Sequence, residues 1–280
     1  MSDGDAATAF APGHVTGFFS VSRGDAPART GSRGAGVTLA DGVTTRVMPS
    51  DETTVRLNGR ELDVESARRV LDALDVTATV DAETDLPLGA GFGVSGAMAL
   101  GTALAANAAF EHARHGHSEN DLIRAAHVAE VEAGSGLGDV VAQARGGIPI
   151  RVEPGAPPHG ELDGVPATSR IEYLSFGGLS TSDVIGGDTD ALSAAGERAL
   201  AELRDRPTLP AFFRLSREFS REAGLLDGEV AEAVEAVTES GGEAAMAMLG
   251  RTVFALGTGL SDAGYDPEVS SVHPAGATLR

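Results

Sequence analysis

Short apolar or β-branched runs alternate with Gly, Asp and Pro through the first third of the chain, at residues 8–10, 15–21, 36–39, 44–48 and 53–57. Runs of this length between turn formers predict strands, and their close succession predicts an antiparallel sheet. The spacing becomes helical over 66–74 and alternates again over 76–80, which suits a further strand. A Gly-rich stretch at 87–96 then feeds an Ala-, Leu- and Met-rich segment predicted as a buried helix from about Ser95 to residue 111. Ser118 is placed to N-cap a second helix over 118–133, with Asp121 in its first turn. That helix ends at Gly134, which opens another Gly-rich stretch running to Asp139. Beyond Gly146-Gly147, residues 148–152 predict a strand with Pro149 at a sheet edge, and 153–167 read as a Pro/Gly-rich linker. This places a boundary between an N-terminal domain at 1–160 and a C-terminal domain at 161–280. The second half predicts a strand at 171–176, helices at 190–204, 208–224 and 228–239, and an apolar segment at 244–256. Strands mixed with helices, without regular βα alternation or an internal repeat, give an α+β class.

Composition narrows the functions. The 280 residues are 42% apolar and contain no Cys, which excludes a disordered chain and a disulfide scaffold. No apolar run approaches a membrane span, and Met1 to Asp5 lack the basic start of a secretory signal, so a cytoplasmic protein is expected. With 41 Asp+Glu against 21 basic residues, the net charge of -20 repels nucleic acid and anionic lipid and leaves small molecules as ligands. All 21 basic residues are Arg. The absence of Lys excludes a Walker A loop and the strand Lys of protein kinases. A Lys-free, acid-rich surface is also the one expected of a protein adapted to multimolar salt.

The loop at 87–96 carries the strongest chemical signal. Its glycines let backbone N–H groups approach a ligand while the following helix presents its positive end, a combination that suits phosphate. Ser95, at the helix mouth, can ligate Mg²⁺ or bond a phosphate oxygen. The loop also matches G-x-G-x-x-G, but a dinucleotide fold requires the glycines to follow their strand at once, and here residues 81–87 intervene. A second constellation joins Asp139 to Glu130 and His127, which lie one helical turn apart on a shared face. A carboxylate for Mg²⁺, an Asp near an accepting hydroxyl and a phosphate loop are the parts of phosphoryl transfer.

Ala11-Pro12-Gly13-His14, the loop from Pro87 to Ala97, Glu130, Gly138-Asp139 and Gly146-Gly147, in that order and spacing, resemble the GHMP small-molecule kinases. Pro12 to Phe19, Ser32 to Gly36 and Ala126 to Gly134 are most similar to the archaeal pantoate kinase branch. The resemblance implies a ribosomal-S5-like N-terminal domain and a ferredoxin-like C-terminal domain, with ATP and Mg²⁺ as cofactors. It implies that Pro87, Gly89, Ala90, Gly91, Gly93, Ser95 and Gly96 hold the nucleotide, Ser95 and Glu130 the metal, and that Asp139 is the catalytic base. Pantoate, a precursor in coenzyme A synthesis, is the implied substrate, and a homodimer is admitted as the assembly. Its carboxylate calls for an Arg, for which Arg33 and Arg151 are the candidates, with Ser32 and His127 as hydroxyl partners. Two positions depart from the broader family: His14 stands where Lys often follows Pro-Gly, and Val94-Ser95 replaces a Ser-Ser pair. Shikimate, homoserine or mevalonate kinases, and a non-catalytic nucleotide sensor on the same scaffold, are the alternatives.

Overall fold

Two long strands, β1 (Ala7–Ser22) and β2 (Gly31–Pro49), form an antiparallel ribbon that is the backbone of the molecule. The computed structural model describes residues 6–110, 116–178 and 189–280. Residues 1–5 and the last predicted position of the central helix, 111, lie outside them. The runs at 8–10 and 15–21 belong to the single strand β1, and those at 36–39 and 44–48 to β2. Register shifts at Pro12/Gly13 and Thr16/Phe18 interrupt the periodicity while pairing continues on either side, as bulges do.

Around the ribbon the chain adds β3 (Thr54–Leu57), β4 (Arg60–Glu61), β5 (Ala78–Glu83), β6 (Ile148–Glu153), β7 (Glu161–Val165) and a last strand, β12 (Thr278–Leu279). The main path runs β12-β1-β2-β5-β3-β4, and β6 pairs with both β2 and β7. The sheet is mixed, since β3 and β5 pair in parallel. Part of the expected linker is therefore strand: alternation across 161–165 lets β7 pair with β6. By sheet membership, β7 and β12 go with the N-terminal half. Helices α1 (Glu65–Ala73), α2 (Val94–Ala109), α3 (Glu119–Ala133) and α4 (Asp139–Arg145) complete this half. Ser118 caps α3 in a reciprocal capping box with Asp121.

The second sheet, ordered β11-β8-β10-β9, consists of β8 (Arg170–Gly178), β9 (Ala244–Ala247), β10 (Gly250–Leu256) and β11 (Glu268–Ser271). Thus the apolar segment at 244–256 is a hairpin. Helices α5 (Asp190–Asp205), α6 (Leu209–Glu222), α7 (Gly228–Glu239) and the short α8 (Gly259–Asp262) accompany it. An aromatic cluster locks the halves together. Phe18 lies 6.3 Å from Phe212 and 6.5 Å from Phe219, and Phe254 is 5.0 Å from Phe213, all buried. Burying rings of this size supplies much of the cohesion between the layers and fixes the cleft between them. Among the described residues no helix is long and apolar enough to cross a membrane.

Candidate active site

A cavity opens where the Gly-rich loop, the start of α4, strands β1, β2 and β6, and the β9–β10 hairpin converge. Gly89, Gly91, Gly93, Ser95 and Gly96 line it. Helix α2 begins at Val94, so Ser95 sits in its first turn, and no side chain caps its N-terminus. The N-cap is Gly93, with a left-handed φ of 62°. A Cβ there would also lie only 3.0 Å from Gln143 Nε2 and 3.1 Å from Asp139 Oδ1, so glycine is required twice over. The Gln143 amide donates to the Gly93 carbonyl at 2.8 Å and ties the loop to α4. An uncapped helix N-terminus with a glycine approach is an anion site in its own right.

Two carboxylates reach the cavity. Glu130, on α3, is only 2% exposed and accepts hydrogen bonds from Ser95 Oγ at 2.5 Å and Ser135 Oγ at 2.7 Å. Burial pushes its carboxyl up to about 7, against the opposing pull of those hydroxyls. Asp139, the first residue of α4, receives a 2.7 Å hydrogen bond from His14 Nδ1. Burial works to raise the Asp139 carboxyl, but the His14 hydrogen bond and the nearby charge of Arg151 outweigh it and hold the group below the usual carboxylate range. Asp139 is therefore an ionised acceptor at neutral pH. Burial and the charge of Arg151 lower the His14 ring despite Asp139, so the imidazole is neutral and carries its proton on Nδ1. Its buried Nε2 has no protein partner, which agrees with an unprotonated nitrogen there.

Arg151, on β6, is 1% exposed, and its Nε and Nη1 have no hydrogen-bond partner among the described residues. Burial pulls its guanidinium down to about 10, and the field of Asp139 opposes this, so the cation persists at neutral pH. Ser32, on β2, lines the same cavity, with its hydroxyl 3.5 Å from the Leu137 carbonyl.

Other expected positions lie elsewhere. Arg33 alternates to the far side of β2 and pairs with Glu153 at 2.7 Å and Glu197 at 3.3 Å, so it does not reach the cavity. His127 is buried behind it, its Nε2 bonded to the Thr30 carbonyl at 2.8 Å, where it braces the turn Pro27–Arg29. Pro87 is off the cavity wall, and Ala90 is buried with its carbonyl accepting from the Thr252 hydroxyl at 2.8 Å. The sequence reading missed the contact of His14 with Asp139, the role of Ser135, and the contribution of Met248 and Leu249 from the second half. Pro12-Gly13-His14 and Gly134-Ser135-Gly136 carry a local signal for the first two, and residues 248–254 only a weaker resemblance to the family.

The chain is similar to known proteins over most of its length. Residues 62–147 match the model of the GHMP kinases N terminal domain. The chain is 36% identical over 266 residues to the pantoate kinase of Thermococcus kodakarensis, covering 89% of this chain and 86% of that one. It is 33% identical to the pantoate kinase of Methanocaldococcus jannaschii, covering 88% and 91%. A solved structure described as a phosphotransferase related to the CoA biosynthesis pathway superposes with a TM-score of 0.85 at 30% identity, covering 98% of each chain. The homoserine kinase of Cytophaga hutchinsonii shares the fold at a TM-score of 0.71 and 20% identity, covering 100% of this chain and 99% of that one.

Proposed function

The chain belongs to the GHMP kinase family, and from that premise we propose that it transfers the terminal phosphoryl group of ATP to the primary hydroxyl of pantoate, in the cytoplasm, as a step of coenzyme A synthesis. One observation carries the substrate assignment: a buried guanidinium on the cavity wall with two of its nitrogens unpartnered. Leaving a cation desolvated and unpaired is costly, and a planar carboxylate, meeting the fork with two hydrogen bonds, relieves that cost.

The reaction follows from the remaining groups. The Gly89–Gly96 loop and the open end of α2 receive the phosphates of ATP. Asp139, kept ionised, accepts the hydroxyl proton as that oxygen forms its bond to the terminal phosphorus, and the bond from phosphorus to the bridging oxygen breaks to release ADP. His14 holds the Asp139 carboxylate in place through Nδ1. Among the described residues no group of three or more His, Asp or Glu could hold a metal unaided. Ser95 and Glu130 still fit Mg²⁺, which binds through one or two carboxylates and completes its shell with phosphates and water. Ser95 Oγ and a Glu130 carboxylate oxygen stand 2.5 Å apart on the cavity wall, a pair of hard oxygen donors of the kind Mg²⁺ takes. Mg²⁺ bound there supplies charge neutralisation of the phosphates.

The test is a panel of acceptors, pantoate, shikimate, mevalonate and homoserine, assayed for ADP release with ATP and Mg²⁺. Pantoate-dependent ADP release with a phosphorylated product is expected. Turnover of homoserine or mevalonate in preference to pantoate refutes the assignment.

A further inference from the structure

The tip of the β9–β10 hairpin holds a conformation its residue disfavours. Leu249 has a φ of 66°, in the left-handed region that branched side chains occupy only under constraint. The other non-Gly residues in that region among the described residues are Asn58 and Asp75, types that tolerate it. The hairpin does contain a glycine, Gly250, one residue later, but it serves another purpose. A Cβ on Gly250 would lie 2.0 Å from the Ala90 carbonyl oxygen, so the phosphate loop can only pack there against glycine. The turn therefore keeps Leu where Gly or Asn would cost less.

The hairpin is clamped on both sides. Met248 N–H donates to the Thr16 carbonyl at 2.9 Å, and the Thr252 hydroxyl to the Ala90 carbonyl at 2.8 Å. Thus fixed, Leu249 lines the cavity beside Gly91 of the phosphate loop. Phe19 on β1, Gly34 on β2 and Arg151 on β6 are register partners in one row across the sheet, and Phe19 and Arg151 both line the cavity. The cavity thus has a cationic end at Arg151 and an apolar wall at Phe19 and Leu249, the latter beside the Gly-rich loop.

We infer that Leu249, with Phe19, is the specificity-determining contact for the dimethylated carbon of the substrate. The inference rests on the pantoate reading. In pantoate that quaternary carbon lies between the carbon bearing the second hydroxyl and the carbon bearing the hydroxyl to be phosphorylated. With the carboxylate on Arg151 and the reacting oxygen near the loop, the two methyl groups fall on the apolar wall. The strain at Leu249 is retained because the side chain, not the turn, is needed there.

The test compares kcat/KM for pantoate and for 2,4-dihydroxybutyrate, which lacks both methyl groups, in the wild type, Leu249→Gly and Leu249→Asn. Each missing methyl-sized contact in an apolar pocket is worth roughly 10- to 200-fold in discrimination. The wild type should prefer pantoate, and both variants should lose about tenfold or more of that preference through pantoate alone. Because Gly and Asn accept the left-handed conformation, the melting temperature of both variants should hold or rise. A preference unchanged in both variants overturns the inference, as does an effect confined to KM for ATP. Failure of the wild type to phosphorylate pantoate overturns the substrate reading and this inference with it, whereas turnover with unchanged preference overturns the inference alone.

Discussion

Replacing Arg151 with Met should weaken the enzyme and strengthen the fold. The guanidinium is 1% exposed, makes no ion pair among the described residues, and is pulled well below its ordinary range, to about 10, by burial. That drop corresponds to roughly 3 kcal/mol of destabilisation of the cation in the folded state at neutral pH. Met fills a similar length without charge, and exchange of a buried charge for a well-packed apolar side chain is often neutral or stabilising by about 1 to 4 kcal/mol. For a chain of this size each kcal/mol moves the melting temperature by about 2 to 4 °C, so the ligand-free variant should melt a few degrees higher. Binding moves the other way. Loss of a desolvated, charge-assisted contact costs about 2 to 4 kcal/mol, or roughly 30- to 1,000-fold in KM for pantoate, with KM for ATP unchanged. Arg151→Lys should not restore KM, since a point charge cannot meet a carboxylate as a planar fork does. Calorimetry of ligand-free protein and steady-state kinetics on both substrates give the two readings. A variant that melts several degrees lower with an unchanged KM for pantoate would show that Arg151 is a structural support, and the carboxylate argument would collapse.

Asp139→Asn should lower kcat by at least about a hundredfold with little change in KM for ATP, because a positioned base contributes that much; normal turnover refutes its role. His14→Leu should reduce kcat and move the acidic limb of the pH–rate profile upward, since the Asp139 carboxylate loses the hydrogen bond that lowers it. His14→Asn, whose amide can donate from the position of Nδ1, should restore much of the rate, and equal loss in both variants sinks this account. Glu130 titrates near 7 in the fold against 4.5 for the free side chain, so its contribution is present below the lower value and lost as pH rises toward the higher. Metal-free protein should therefore lose up to about 3 kcal/mol between these values, a slope absent in Glu130→Gln and countered by Mg²⁺. A flat wild-type stability profile over that range contradicts the burial argument.

Most of the strands and helices are readable locally, because alternation and capping are written in neighbouring residues. The bulges in β1 hid one continuous strand behind two short runs, and nothing local in the Pro-rich stretch after Glu153 announces that 161–165 finds a partner in β6. The site divides the same way. The glycine loop, Glu130 and Asp139 are legible as neighbours in one cavity from their motif spacing, and Arg151 only as one of two candidate arginines. Ser32 and Arg33 are adjacent in sequence, yet strand alternation sends one to the cavity and the other to Glu153 and Glu197. His127 shares a helix face with Glu130, but the Thr30 carbonyl, 97 residues earlier in the chain, already claims its nitrogen. The place of the hairpin tip at Leu249 beside Gly91 depends on how two sheets dock, which no local pattern fixes.

The aromatic cluster behind β1 also joins the two ends of the chain. Every charged group assigned to the reaction lies between His14 and Arg151, whereas the rings that cover Phe18 come from Phe212 and Phe219. During synthesis, a chain that has reached β7 already carries the proposed base, metal ligands and anion clamp, but not the rings that cover Phe18. Contacts across some two hundred residues close slowly, because the entropy of the intervening loop is paid before they reward it. A chain cut after β7 therefore lacks both the rings that cover Phe18 and the cavity wall at Met248 and Leu249.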